Sequence, residues 1–455
     1  MSDEQTIERQ DDYPPSVYSW YVVSILTLTY TVSFIDRQIM ALMIDPMRHD
    51  LNISDTQVSL LIGLAFAVFY TLLGIPIARL ADRYSRRKII AAGIVAWCVM
   101  TAACGLVRTY AQLFLVRVGV GVGEAALSPS ALSMISDYFP KRTRVRAIGV
   151  YNMGISLGAG MAMILGGQIV AHVMQAPPMR LPVVGQLFAW QTVFLLVGLP
   201  GLVTAILMMT VHEPRRREGL LATKGANPNL AFSAVIRYLG TRWRMYASHF
   251  IGMSTVAILA YGQFAWIPTM FIRTWGWTIG EVGLAYGCVV LVAGPLSAFG
   301  SAWLTELLIK KGYQDAQMRA ALWYIGMGAI GSIGAGLAPA PWLSIAMLLP
   351  ASVGTIAATA CGLTGLMMAT PNQMRAQASA MYYLVVNVFG LTAGPTGIAL
   401  FTDYVFRNTH ALRYSVASVS VLAGLLGVIV LFYNLHQYRH ALAESSAWEG
   451  DRKQL

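Results

Sequence analysis

The feature that most constrains this chain is its succession of long apolar runs, each of about twenty residues or more, the length needed to cross roughly 30 Å of hydrocarbon. Between the runs lie short stretches in which the charge is gathered. Of 455 residues 56% are hydrophobic and only 12% charged, against about a quarter charged in a water-soluble globule. A soluble metabolic enzyme and a nucleic-acid reader are therefore excluded, and the chain reads as a polytopic membrane protein. Its net charge of +11 is better explained by topology than by a nucleic-acid partner, because the basic excess collects in loops on one side. Cys98, Cys104, Cys288 and Cys361 lie inside apolar runs without ligand spacing, so neither disulfide, metal nor cofactor is expected. The first eighteen residues are polar and acidic (Asp3, Glu4, Glu8, Asp11, Asp12); no cleavable leader is expected, and the first apolar run should be retained.

Twelve helices are predicted, at 18–46, 56–80, 87–107, 110–138, 144–173, 189–211, 243–272, 279–305, 317–337, 342–370, 375–405 and 412–437. An even number puts both termini on one side. With residues in the end turns of a span counted with the adjoining gap, of the 32 basic side chains 23 belong to the tails and even-numbered gaps and six to the opposite gaps (Arg48, Arg108, Arg180, Arg273, Arg407, Arg413), leaving Arg37, Arg79 and Arg117 within spans. The positive-inside rule then makes both termini cytoplasmic, in the inner (plasma) membrane if the source is bacterial. The polar stretch 212–242, with Glu213-Pro214-Arg215-Arg216-Arg217, reads as a cytoplasmic linker. The expected organisation is a tail at 1–17, six-helix bundles at 18–211 and 243–437 joined by that linker, and a second tail at 438–455.

The two bundles resemble each other. Leu80-x-Asp82-x3-Arg86-Arg87 after helix 2 has the spacing of Leu304-x-Glu306-x3-Lys310-Lys311 after helix 8. Gly154-x3-Gly158 matches Gly390-x3-Gly394, and Arg146-Ala147 matches Arg375-Ala376. Two six-helix halves in parallel repeat, with a site at the midplane, is the plan of a secondary transporter.

Gly74 to Lys88 (GIPIARLADRYSRRK) resembles the helix 2–3 signature of the major facilitator superfamily, whose all-α fold of two pseudo-symmetric six-helix bundles fits nearly the whole chain. Phe34-Ile35-Asp36-Arg37, Arg117-x-Gly119-x-Gly121-x-Gly123-Glu124-Ala125 and Val197-Gly198-Leu199-Pro200-Gly201 together resemble the spinster branch. That resemblance implies export of lysophospholipids or sphingoid lipids, with the matching Arg and Glu engaged in substrate binding and proton coupling. Ala78 and Ser85 stand where the signature usually has glycine; both are small, but a turn requiring positive φ at Ser85 would be strained.

Ionisable groups within the spans carry the chemistry. Asp36, Arg37, Arg117 and Glu124 each cost at least about 2.5–3.5 kcal/mol to bury in a bilayer, so each is paired or faces a water-filled path. A structural ion-pair cluster is the plainer alternative. Arg117, Gly121, Glu124 and Ser128 share one stripe of helix 4, but Arg117 and Glu124 are about 10 Å apart along the axis and need other partners. On helix 1, Tyr30, Ser33 and Arg37 share a face while Asp36 points about 100° away. Arg37, assisted by Arg117, is expected to hold an anionic headgroup, since guanidinium grips phosphate or carboxylate at two points. Asp36 would fix an arginine, and Glu124 would carry a proton as its distance from arginine changes.

The second half offers polar but uncharged groups: Tyr261, Gln263, Thr355, Thr359, Tyr382, Tyr383 and Asn387. A cavity charged on one wall and apolar on the other suits an amphiphile, although such residues often only bond neighbouring helices. Asp82, Arg83, Arg86, Arg87 and Glu306 are expected to gate the cytoplasmic side, a purely topogenic role fitting Lys88 and Lys141 better. The expectation is therefore a monomeric, proton-coupled carrier of an amphipathic lysolipid, working by alternating access amid membrane lipid. A carrier of small organic anions or drugs on the same fold is the alternative, followed by a non-transporting sensor. No enzyme is expected, because no nucleophile, base or paired carboxylate site falls within a span.

Overall fold

A computed structural model describes residues 13–182, 185–216 and 232–451. The acidic residues of the first tail, Arg217 and the linker stretch 217–231 lie outside the described residues, as do 452–455. Twelve helices among the described residues are long and apolar enough to cross a membrane. They are α1 (Ser16–Leu42), α2 (Asp55–Gly74), α3 (Arg86–Cys104), α4 (Tyr110–Tyr138), α5 (Arg142–Gln175), α6 (Ala189–Thr210), α7 (Trp243–Trp275), α8 (Ile279–Lys310), α9 (Ala316–Leu337), α10 (Pro341–Ala369), α11 (Asn372–Phe406) and α12 (Thr409–Glu444).

The departures from regular helix have local causes. In α4 the first segment ends at Glu124 and the second begins at Leu127. Pro129 has no N–H to give the Ala125 carbonyl, and the Ala126 N–H bonds Gly123 three residues back. Past Gln38, α1 tightens into a 3-10 turn at Ile39–Leu42 and is followed by a separate helix, Ile44–Leu51, instead of running unbroken to residue 46. Residues 438–451, within the stretch read as the second tail, continue the last helix. Phe232–Thr241 is helical within the stretch read as a linker. Arg180–Leu181 pairs antiparallel with Gly185–Gln186, a hairpin the sequence reading did not foresee. Ser85 has φ −63°, an ordinary value, so its non-glycine identity costs nothing.

Packing divides the chain into two compact units along lines different from the sequence repeat. The first comprises described residues within 1–37, 69–159 and 178–228; the second comprises 38–68, 160–177 and those within 229–455. In the first unit α3 packs on α4 and α6 around the buried rings of Trp97, Trp190 and Phe194. One end of this unit is clasped by Arg86, only 2% exposed. Its Nη1 donates to Asp137 Oδ2 at 2.5 Å and Ser133 Oγ at 2.8 Å, and its Nε donates to Glu213 Oε1 at 2.9 Å. Glu213 also accepts from the Arg87 N–H at 3.0 Å and Ser85 Oγ at 2.7 Å, so the ends of α3, α4 and α6 are joined.

In the second unit α7 packs on α11 and α12, and α9 on α10. A Cβ at Gly63 would collide with the Leu391 carbonyl, so glycine is what lets α2 approach α11 so closely.

Two outcomes follow for the Arg86 clasp. Arg86→Gln strands the buried Asp137 carboxylate and should lower stability by about 3–5 kcal/mol, read as a fall in melting temperature in detergent. Partial burial pushes the Glu213 carboxyl up, but hydrogen bonds from Arg87 N–H, Arg86 and Ser85 outweigh this and hold it below its ordinary value. Its contribution is thus complete above about pH 4.3 and lost as pH falls through the lower folded-state value. Glu213→Gln should flatten that acid limb of the melting curve.

Candidate functional site

The charged side chains of α1 and α4 meet inside the first unit. Arg37 Nη2 donates to Glu124 Oε2 at 2.6 Å and Ser33 Oγ donates to the same oxygen at 2.8 Å. Arg37 is 9% exposed and Glu124 1%, so this ion pair is buried and both its members depend on it. The other carboxylate oxygen, Oε1, has no hydrogen-bond partner among the described residues. The Arg37 guanidinium also lies 4.8 Å from the Phe34 ring centre and 5.0 Å from that of Tyr70, a position that favours a cation.

Glu124 is the last residue before the α4 break. Arg117 and Asp36 are fully buried. Thr101 Oγ1 is 3.5 Å from Asp36 Oδ2, and Asp36, Arg117 and Glu124 lie within electrostatic reach of one another. The helical offset between Asp36 and Arg37 thus sends neighbouring residues to different partners: Arg37 to Glu124, Asp36 to Thr101 and the field of Arg117. Tyr30 stacks on Tyr151 at 4.7 Å between ring centres, and the Tyr151 hydroxyl donates to Ser128 Oγ at 3.2 Å. Tyr151 was not singled out from sequence; a tyrosine in an apolar run of α5 was its only signal.

The polar residues expected from the second half lie in the second unit and are used unequally. Tyr261 donates to Asn387 Oδ1 at 3.3 Å. Tyr382 is fully buried against His249, Phe250 and Tyr383, and its hydroxyl has no hydrogen-bond partner among the described residues. Thr355 returns its hydroxyl to the Ala351 and Ser352 carbonyls, and Thr359 does the same to Thr355. Gln263 Nε2 donates to Ser332 Oγ at 2.7 Å, joining α7 to α9.

Of the residues expected to gate, Arg86 is in the clasp already described, and Arg87 donates from Nη1 to the Val211 carbonyl at 2.9 Å. Asp82, Arg83 and Glu306 are exposed. A second ionic cluster was not foreseen. Arg273 at the end of α7 donates to both oxygens of Asp55, at 2.7 and 2.8 Å, and to Asp45 Oδ1 at 2.6 Å, while Arg48 Nε is 2.8 Å from Asp55. Asp403 accepts from the Thr56 N–H and hydroxyl alongside. Its signal was present in the sequence: Arg48 and Arg273 are two of the few basic residues on the side otherwise poor in them.

The sequence model described as Major Facilitator Superfamily matches residues 26–395. An MFS-type efflux pump of Mycolicibacterium smegmatis is 27% identical over 442 residues, covering 94% of this chain and 95% of that one. The hexuronate transporter of Escherichia coli is 25% identical over 331 residues, 69% of this chain and 72% of the relative. A crystal structure of a bacterial homolog to the human lysosomal transporter Spinster, inward-facing and unoccupied, is similar with a TM-score of 0.76 and 26% identity, covering 95% of this chain and 99% of that one.

The pair should behave as a unit on mutation. Arg37→Gln leaves the buried Glu124 carboxyl without its cation and should cost about 3–5 kcal/mol. Adding Glu124→Gln should recover most of that loss. Melting temperatures of the wild type, both single variants and the double variant in one detergent give the cycle; additive losses would show that the two side chains are not coupled.

Proposed function

Because this chain belongs to the major facilitator superfamily, a family of membrane transporters, we propose that it is a proton-coupled carrier of an amphipathic lysolipid or sphingoid lipid, working by alternating access. The observation that carries this reading is the buried Arg37–Glu124 pair, with Ser33 on the same carboxylate oxygen. An anionic headgroup that engages the Arg37 fork competes with Glu124 for the same guanidinium. A carboxylate that loses its cation inside the membrane takes up a proton rather than remain charged. Headgroup binding and protonation therefore favour each other at this site. Asp36 and Arg117 set the field in which that proton is held. Tyr30 and Ser128, with Tyr151 between them, supply polar and aromatic surface from the first unit. In the second unit, taken by itself, Tyr261 and Asn387 are the polar candidates, whereas Tyr382 is buried among aromatic rings.

The gating roles of Asp82, Arg83, Arg86, Arg87 and Glu306, both termini in the cytoplasm, residence in an inner membrane and a monomeric state belong to the same reading. A second reading is favoured by the relatives. The hexuronate transporter is named for a sugar acid, and the Arg37 fork suits a small carboxylate as well as a phosphate.

Proteoliposomes separate the two. Fluorescent lysophospholipid and sphingoid lipid should move only with protein present, and an imposed pH gradient should raise the initial rate several-fold. Glu124→Gln should retain substrate binding and move lipid at a rate indifferent to the gradient. A gradient response that survives in Glu124→Gln removes the proton role. Movement of a hexuronate but of neither lipid replaces the substrate while leaving the carrier reading intact.

A further inference from the structure

The repeated motif at the ends of α2 and α8 has kept its basic pair and changed what that pair meets. In the first half Arg86 and Arg87 are absorbed by Asp137, Glu213 and the Val211 carbonyl. In the second half the equivalent Lys310 and Lys311 are exposed. Neither has a carboxylate partner among the described residues. Of the two carboxylates nearest in sequence, Glu306 is exposed one turn back on α8 and forms no ion pair among the described residues, and Asp315 is fully engaged, accepting from Arg319 Nε and Arg439 Nε at 2.7 Å each. Gly312, with φ +85°, ends α8 and turns the chain so that Tyr313 folds back beneath Lys311, its N–H on the Leu308 carbonyl.

The turn is the rim of a cleft of about 350 Å³ between α8, α9 and α12. Lys311, Arg319 and Tyr313 form its polar mouth, the Arg319 guanidinium 4.2 Å from the Tyr313 ring centre. Leu308, Trp323 and Phe432 form its apolar wall. Trp323 is 70% exposed and Phe432 68%, so two large rings line a cleft that opens beside them. The 8–9 turn lies on the side that the basic-residue count assigns to the cytoplasm. There the leaflet carries anionic lipid.

We propose that this cleft binds an anionic phospholipid of the surrounding membrane, its phosphate held by Lys311 and Arg319 with Lys310 beside them, and one acyl chain laid along Trp323 and Phe432. Charge complementarity selects this occupant: a mouth in which Lys311 and Arg319 outnumber the acids lining it, a lysine pair in no ion pair among the described residues, and an apolar wall beside them. A zwitterionic lipid brings its own cation and gains little from the lysines. The site is a surface cleft within one unit and is independent of which substrate is carried.

Phosphatidylglycerol and phosphatidylcholine with brominated acyl chains are the probes, titrated into the full chain in detergent micelles. The Trp323 signal is the difference in quenching between wild type and Trp323→Phe. That signal should half-saturate at a mole fraction of phosphatidylglycerol at least fivefold below that of phosphatidylcholine, since each basic side chain at an anionic lipid surface contributes on the order of fivefold. The preference should shrink as salt is raised in the unmodified protein. It should also fall several-fold in Lys310→Gln/Lys311→Gln, whose substituted side chains are exposed and bear no packing. Equal half-saturation by the two lipids would mean ordinary annular contact and would overturn the proposal. A preference indifferent both to salt and to the double substitution would do the same.

Discussion

Lipid offers no hydrogen bond, and every charge carried into the bilayer must find its counter-charge in the protein or in what the protein binds. That constraint organises the molecule. Arg37 and Glu124 satisfy each other in the middle of the first unit; Arg86 is shared between Asp137 and Glu213 at one end of it; Arg273 is shared between Asp45 and Asp55 at the end of α7. Each cluster ties together elements distant in sequence, so the pairs that make burial tolerable also fix helix positions. The three differ in completeness. Asp55 and Arg273 occupy each other at both carboxylate oxygens, whereas Glu124 leaves Oε1 without a hydrogen-bond partner among the described residues. The incomplete cluster is the one suited to exchanging partners; the complete ones are suited to holding still.

The sequence made the buried charges conspicuous, because an Asp, Glu or Arg inside an apolar run stands out against everything around it. Asp36, Arg37, Arg117 and Glu124 were legible for that reason, as were the twelve spans. The choice of Glu124 rather than Asp36 as the partner of Arg37 was not, since it depends on how α1 is rotated against α4, which no local pattern encodes. Asp137, Glu213, Asp45 and Asp55 were passed over because they lie at helix ends, where a carboxylate looks like an ordinary solvated group. The polar residues of the second half show the opposite error. Thr355 and Gln263 draw attention in an apolar background, yet the first bonds its own helix and the second a neighbouring one.

The internal repeat adds a different kind of information. Matching positions in the two halves carry the same residue spacing in different surroundings. Arg86 became the centre of a closed clasp, while Lys310 and Lys311 were left at the surface. A repeated pattern therefore supplies its own comparison: where one copy has an internal counter-charge and the other has none among the described residues, the second is the place to look for an external ligand.

The interruption in α4 has a mechanical meaning. Glu124 sits at the joint, and the segment Leu127–Tyr138 below it ends in Asp137, which grips Arg86, and Tyr138, which donates to the His212 carbonyl. That segment is a rigid arm about 17 Å long at ~1.5 Å per residue. A rotation of about 10° at the joint swings its far end by about 3 Å, more than the Arg86–Asp137 contact survives. The leverage runs both ways: whatever alters the electrostatic balance at the joint is magnified at the clasp, and a clasp held shut resists any rearrangement around Glu124.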